Sequence, residues 1–190
     1  MIAPEADPYI DPETGFLRTR LGSRTREHFD MHERRLLTQR IAEGAPPGGF
    51  DLAHLQAIHQ HLFQDVFDWA GELRRVDMTR NGDRFQFATR IAADMAAIHR
   101  ELAAKTFLAG QGPGDFAREA AFLIGDVNFL HPFREGNGRT QLLYLKQLAE
   151  AAGHPLSLAR IPAEPWIEAS RASMAGDNEL FAAMIAAALL

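Results

Sequence analysis

The chain has 190 residues, a net charge of −5, 46% apolar and 24% charged side chains, and no cysteine. Such a chain predicts one domain large enough to bury a sizeable core. The missing cysteines exclude disulfides and thiolate-held metals and suit a cytoplasmic protein. No apolar run approaches the ~18 residues that span a bilayer, and the absence of a Lys/Arg-dense stripe argues against direct nucleic-acid binding. The opening MIAPEADPYID lacks the basic and apolar regions of a secretory signal.

Residues 1–22, rich in Pro, Asp and Gly, predict an extended arm with turns. Residues 24–43 predict a helix with Phe29, Leu36, Leu37 and Ile41 on one apolar side and its charges on a solvated face. GAPPGG at 44–49 is a breaker. Asp51 is placed as the N-cap of the next helix, where Leu55, Ile58, Leu62 and Val66 recur at helical spacing. His54, His59 and His61 lie there, with no recognisable zinc spacing completed around them. Trp69-Ala70-Gly71 ends that helix. A β-hairpin is predicted next: Arg74–Thr79, the turn Asn81-Gly82, then Arg84–Ala88, with Phe85 and Phe87 on one face. By its residues alone it is either a small structural hairpin or an edge that invites a partner strand.

A helix at 90–104 carries Ile91, Met95, Ile98 and Leu102 on one stripe. Asp115 is expected to cap the next, a core helix with Phe116, Ala120, Leu123, Val127 and Leu130 on its apolar stripe. That helix delivers His131 at its C-terminal end, where the helix dipole is expected to favour the imidazolium. Asn128, one turn earlier, reads as a buried, satisfied amide.

The chemistry concentrates in residues 131–139, HPFREGNGR. Pro132 stops the core helix. Gly136-Asn137-Gly138 lets the backbone turn tightly and approach a ligand. A new helix at 138–152 follows, with Leu145, Leu148, Ala149 and Ala152 on one side. Amides converging at a helix start form an anion site suited to phosphate. Glu135 is placed to hold Mg²⁺ against that phosphate, Arg139 to add a charged fork, and His131 to take a proton from a nucleophile. Further on, Pro162 and Pro165 frame a short helix with Trp166 and Ile167. The final NELFAAMIAAALL is apolar nearly all round, either packed into the bundle or part of an interface.

HPFREGNGR resembles the signature of Fic-domain proteins, His-x-Phe-x-acid-Gly-Asn-Gly-Arg-x-x-Arg, at every position through Arg139. HLFQDVFDWAGELRRVD at 61–77 and YIDPETGFLRTRLG at 9–22 extend the likeness over nearly the whole chain. The resemblance implies an all-α Fic-type helical bundle with one small β-hairpin, the flap, as a single domain over residues 1–190. It implies transfer of AMP from ATP, with Mg²⁺, to a hydroxyl side chain of a target protein. His131 would be the base, Glu135 the metal ligand, and Gly136, Asn137, Gly138 and Arg139 the phosphate site, with Asn137 also able to touch a phosphate and Phe133 a buried anchor. Arg80 would face the nucleotide. Asn81, Gly82, Asp83, Arg84 and Phe85 of the flap would dock the target.

One departure stands out: Leu142 occupies the place of the second motif arginine. Losing one charged hydrogen-bonding group costs roughly 1.5–3 kcal/mol, or about 10–150-fold; Lys146, one turn on, is the one candidate substitute. The alternatives are another nucleotide, phosphoryl transfer, or a nucleotide-binding module weakened at Leu142. Gly138, where the phosphate-transferring Doc toxins carry Lys, favours AMP. The inhibitory [Ser/Thr]-x-x-x-Glu-[Gly/Asn] pattern is absent: Ser23…Glu27 is followed by His28, and Glu43-Gly44 is preceded by Gln39. That implies a toxin-type protein with a separate small antitoxin as partner. Bacterial topoisomerase subunits are the targets the resemblance suggests; delivery into another cell is left open.

Overall fold

The fold is arranged about one long helix, α4 (Pro113–Leu130), which ends at His131. In the computed structural model, residues 7–22, 25–80 and 82–190 are described. Among them are six more helices: α1 (Arg26–Glu43), α2 (Leu52–Phe63), α3 (Ile91–Ala104), α5 (Asn137–Ala151), α6 (Ala163–Met174) and α7 (Glu179–Ala188). One antiparallel hairpin, β1 (Thr79–Arg80) and β2 (Asp83–Arg84), completes the set. The architecture is therefore all-α with a small hairpin, as expected.

Helix α4 is buried on several sides because α3, α5, α6 and α7 all pack against it. Its expected stripe, Phe116, Ala120, Leu123, Val127 and Leu130, is buried throughout. Ala117, Ala121 and Gly125 are buried too, and these small residues admit a close neighbour. A Cβ at Gly125 would meet Asn178 Oδ1 at 2.4 Å. Helix α7 makes its most extensive contacts there and inserts Phe181, Ile185 and Ala188 into the core, each large side chain contributing about 1.5–3 kcal/mol on full burial. The apolar C-terminal segment is thus packed into the bundle. Pro113 occupies the first turn of α4 and Gly112 its cap, so the expectation that Asp115 caps this helix is corrected: Pro is preorganised for the first helical turn, and the helix starts earlier.

The cap of α2 is as expected, Asp51 Oδ1 accepting from the His54 amide at 2.9 Å. On α1, Leu37 is buried but Ile41 is exposed, so the apolar side is narrower than the sequence suggests. The hairpin is also shorter than expected. Its register is Thr79 to Arg84 and Arg80 to Asp83, and after one further bond, from Phe85 N to Met78 O (3.1 Å), the flanks turn to other partners. Arg74 N donates to Pro132 O (2.9 Å) and Gln86 N to Phe129 O (3.0 Å), so both flanks are stitched to the end of α4. No helix among the described residues is long and apolar enough to cross a membrane.

Candidate active site

The site begins with a backbone conformation. His131 closes α4 at φ 44°, ψ 61°, a left-handed geometry that costs a side-chain-bearing residue roughly 1–2 kcal/mol. The following Pro132 keeps it out of the helical region, and its neighbours hold it. Its N–H still bonds Val127 O at 3.1 Å. Its ring stacks on Phe85 at 3.8 Å and 16°. Its carbonyl accepts from Arg74 Nε at 2.8 Å.

The electrostatics of His131 reverse the sequence expectation. Burial, then the guanidinium charges of Arg74 and Arg80, push its pKa down to about 3, with Arg134 adding to this. The Asn128 carbonyl opposes the shift, but Nδ1 finds no hydrogen-bond partner among the described residues. The dipole at the end of α4 is outweighed by desolvation. His131 is therefore a neutral imidazole throughout the physiological range.

The loop after His131 is braced from inside. Phe133 is fully buried, as expected, and stacks on His59 at 3.9 Å and 14°. The Asn137 amide closes the loop, Oδ1 accepting from Phe133 N (2.9 Å) and Nδ2 donating to Phe133 O (2.8 Å). These bonds use one of the two Nδ2 hydrogens, so the main-chain N–H and the second side-chain hydrogen are what Asn137 can offer a phosphate. Gly136 is the left-handed cap of α5 at φ 85°, and a Cβ there would strike the Phe63 ring at 2.5 Å. The Thr140 N–H, bonded to Gly136 O at 3.1 Å, is the first to bond back. The amides of Asn137, Gly138 and Arg139 thus occupy the positions whose donors lack intrahelical partners. Gly138 differs from Gly136, since its Cβ would meet Trp166 only at 3.6 Å, an ordinary contact.

Arg139 lies over the Phe63 ring (4.9 Å) and pairs with Glu33 Oε2 at 2.8 Å and more loosely with Glu135 Oε1 at 3.5 Å. Glu135 Oε1 also accepts from the Gly136 amide at 3.1 Å. Arg134 is drawn away to Asp7 at 2.8 Å. Leu142 packs against the core, and Lys146 is ion-paired with Glu150, further along α5. Lys146 as a substitute for the missing arginine would have to leave that partner.

A cleft opens beside this loop, lined among others by Arg80, Phe85, His131, Gly138, Gln141 and Trp166. Gln141 Oε1 and Nε2 and Trp166 Nε1 are buried there without partners among the described residues. Asn128 is satisfied, donating to Ser170 O at 2.9 Å. Of the expected flap residues, Asp83 lines the cleft, and Arg84 stacks its guanidinium over Phe87 at 3.8 Å. Phe85 turns its ring inward onto His131, so it has no side chain to offer a docking partner. Asn81 lies outside the described residues.

Four contributors escape the sequence reading. His59 donates from Nε2 to Glu135 O (3.0 Å) and accepts the Gly71 amide at Nδ1 (2.8 Å); burial first, with the Arg139 charge adding, lowers its pKa to about 4. The other three are Glu33, Arg74 and Gln141. The sequence places each on an ordinary helix or strand and carries no signal of its partner.

The arrangement brings the open amides of a helix start and a neutral imidazole at a helix end to one cleft of a helical scaffold. The Fic/DOC family profile matches residues 49–149. Protein adenylyltransferase VbhT of Bartonella schoenbuchensis is 36% identical over 182 residues, 94% of this chain but 38% of that protein. The chain thus spans well under half of that relative. Probable protein adenylyltransferase y4lH of Sinorhizobium fredii is 35% identical over 180 residues, 94% of each chain. Among solved structures, the N-terminal Fic domain of a VirB-translocated Bep effector protein from Bartonella quintana, with bound ADP, superposes with a TM-score of 0.86 at 25% identity, covering 96% of this chain and 94% of that one. The chain belongs to the Fic/DOC family.

Proposed function

We propose that this protein transfers AMP from ATP to a hydroxyl side chain of a target protein, acting as a single toxin-type Fic unit. The observation that carries the reading is the juxtaposition of the open amides of Asn137, Gly138 and Arg139 with the neutral, Phe85-stacked His131. The names of VbhT and y4lH and the ADP bound by the Bartonella quintana domain support it. The target oxygen attacks the α-phosphorus, and His131 accepts its proton. The bond from the α-phosphorus to the bridging oxygen breaks, and pyrophosphate leaves with the electron pair. The α5 amides and Arg139 stabilise the charge on the phosphates, a matter of positioning and electrostatics. The cleft takes the nucleoside: Phe85, Ile167 and Met174 supply apolar wall, and the unpartnered atoms of Gln141 and Trp166 supply polar edges. Arg80 stands at its mouth.

The residues present fit Mg²⁺. Glu135 is 45% exposed at its side chain, and its Oε2 takes no hydrogen bond from a described residue. No group of three or more metal-ligating side chains exists among the described residues. One carboxylate completed by substrate oxygens is the usual Mg²⁺ arrangement. Bound there, the ion supplies charge that offsets the phosphate oxygens. The exposed hairpin edge at Asp83 and Arg84 offers main-chain groups to a docked target segment. The family likeness further suggests bacterial topoisomerase subunits as targets and a small antitoxin as partner.

The test is turnover of His131→Ala on a target protein with labelled ATP. Loss of a general base is expected to lower the rate by about 10²–10⁴-fold, with nucleotide affinity kept. Full activity in that variant removes His131 from the mechanism.

A further inference from the structure

Arg74 is among the largest fully buried side chains of the protein, and its partners are almost all carbonyl oxygens. Nε donates to His131 O (2.8 Å), Nη1 to Val76 O (2.7 Å), and Nη2 to Leu130 O (3.2 Å) and to Gln86 O. The carboxylate that comes near is Asp77, at 3.9 Å. A buried charge answered mainly by neutral dipoles is costly, so its retention asks for a reason.

Geometry supplies one. Leu130 and His131 carry two of the orphan carbonyls at the end of α4. Val76 and Gln86 belong to the two flanks of the hairpin. Serving all four takes a planar fork with five donors, which neither an amide nor an ammonium provides. The same hairpin flank sends Phe85 onto the His131 ring. Asp77 closes the flanks on each other, accepting from Ala88 N (2.8 Å) and Arg84 Nη2 (3.2 Å).

We infer that Arg74 is a positioning residue: its one guanidinium locks the end of α4, and with it His131, to both flanks of the hairpin, so that the base and the edge that would dock the target keep one fixed register. The inference rests on the AMP-transfer reading for what the register serves, and on this structure alone for the register itself. A shift of about 1 Å between base and substrate costs on the order of 10²-fold in rate. The charges around His131 come from three elements: Arg74 ahead of the hairpin, Arg80 in β1 and Arg134 in the loop, with the Asn128 carbonyl of α4 opposing them.

Two variants separate positioning from mere stability. Arg74→Lys keeps the charge and loses the fork; Arg74→Gln loses both. In each, His131 ring-proton NMR shifts report stacking on Phe85, His131 titration reports the local charge, and ADP affinity reports the intact α5 site. With Arg74→Lys we expect the ring-current shift from Phe85 to collapse and kcat to fall about 10²-fold, with ADP affinity unchanged. With Arg74→Gln we expect His131 in addition to titrate higher by about a unit or more. A lower Tm with His131 shifts, titration and kcat all at wild-type values would overturn the inference, leaving Arg74 a structural cap. The NMR readouts need no turnover, so they decide the register even if the chain transfers no AMP.

Discussion

Gly136 and Gly138 look alike in sequence and differ in physics. Gly136 is demanded by its left-handed φ and by the Phe63 ring pressed against it. Gly138 sits inside α5 with room for a methyl group, so nothing in the fold requires it; its bare Cα faces the cleft. Gly136→Ala is expected to lower stability by at least about 1 kcal/mol. Gly138→Ala is expected to hold or raise Tm, since Ala gains about 0.5–1 kcal/mol over Gly within a helix, while ATP affinity falls. Paired melting curves and nucleotide titrations check both. His131 offers a second test at this scale. With a pKa near 3 it needs no deprotonation at neutral pH, so kcat/KM is expected to stay flat from pH 7.5 to 5.5, whereas an acid limb near 6.5 would mean an ordinary, solvated imidazole. The residues in 131–139 were legible because the motif is local. The task of Asn137 was not, since a side-chain amide reads the same whether it faces a ligand or its own loop.

The start of α5 and the hairpin show what periodicity can and cannot give. The apolar stripe of α4 was readable, and so was the pairing of the segments on either side of Asn81-Gly82, Arg80 with Asp83. The strand lengths were not, because beyond the bond from Phe85 N to Met78 O the backbone of the flanks turns to Pro132 and Phe129, a tertiary choice invisible to local pattern. On α5, Leu142 takes the place of the second arginine of the Fic signature. Leu142→Arg is expected to tighten ATP binding by about 10-fold or more, at a stability cost of up to about 1.5 kcal/mol for the lost apolar packing. Lys146→Ala should leave ATP affinity unchanged, because its ammonium is already paired with Glu150. Isothermal titration of the two variants beside the wild type checks both statements.

Across the whole molecule, the site is held by contacts far apart in sequence. Arg74 reaches His131 over 57 positions and His59 reaches Glu135 over 76, while Glu33 of α1 pairs with Arg139 of α5. None of these was legible, since pairing over such distances exists only once the bundle has formed. The buried histidines also give the protein an acid weakness. His131 and His59 titrate near 3 and 4 when folded and near 6.5 when unfolded. Below pH 6.5 the unfolded chain therefore binds protons that the folded chain refuses, and stability falls as pH drops towards those folded values. Each contributes a slope approaching 1.4 kcal/mol per pH unit within its window. Urea midpoints at pH 7 and pH 5.5 are expected to show the loss, while midpoints between pH 7 and 8 should not move on their account.

The most direct test of the account compares ATP labelled at the α-phosphate with ATP labelled at the γ-phosphate. Purified protein, Mg²⁺ and a bacterial lysate are incubated with each, with His131→Ala as the control. Label is expected on a lysate protein from α-labelled ATP alone, lost in the variant. Label from γ-labelled ATP alone would make the protein a phosphotransferase and contradict the account; so would the absence of label from both.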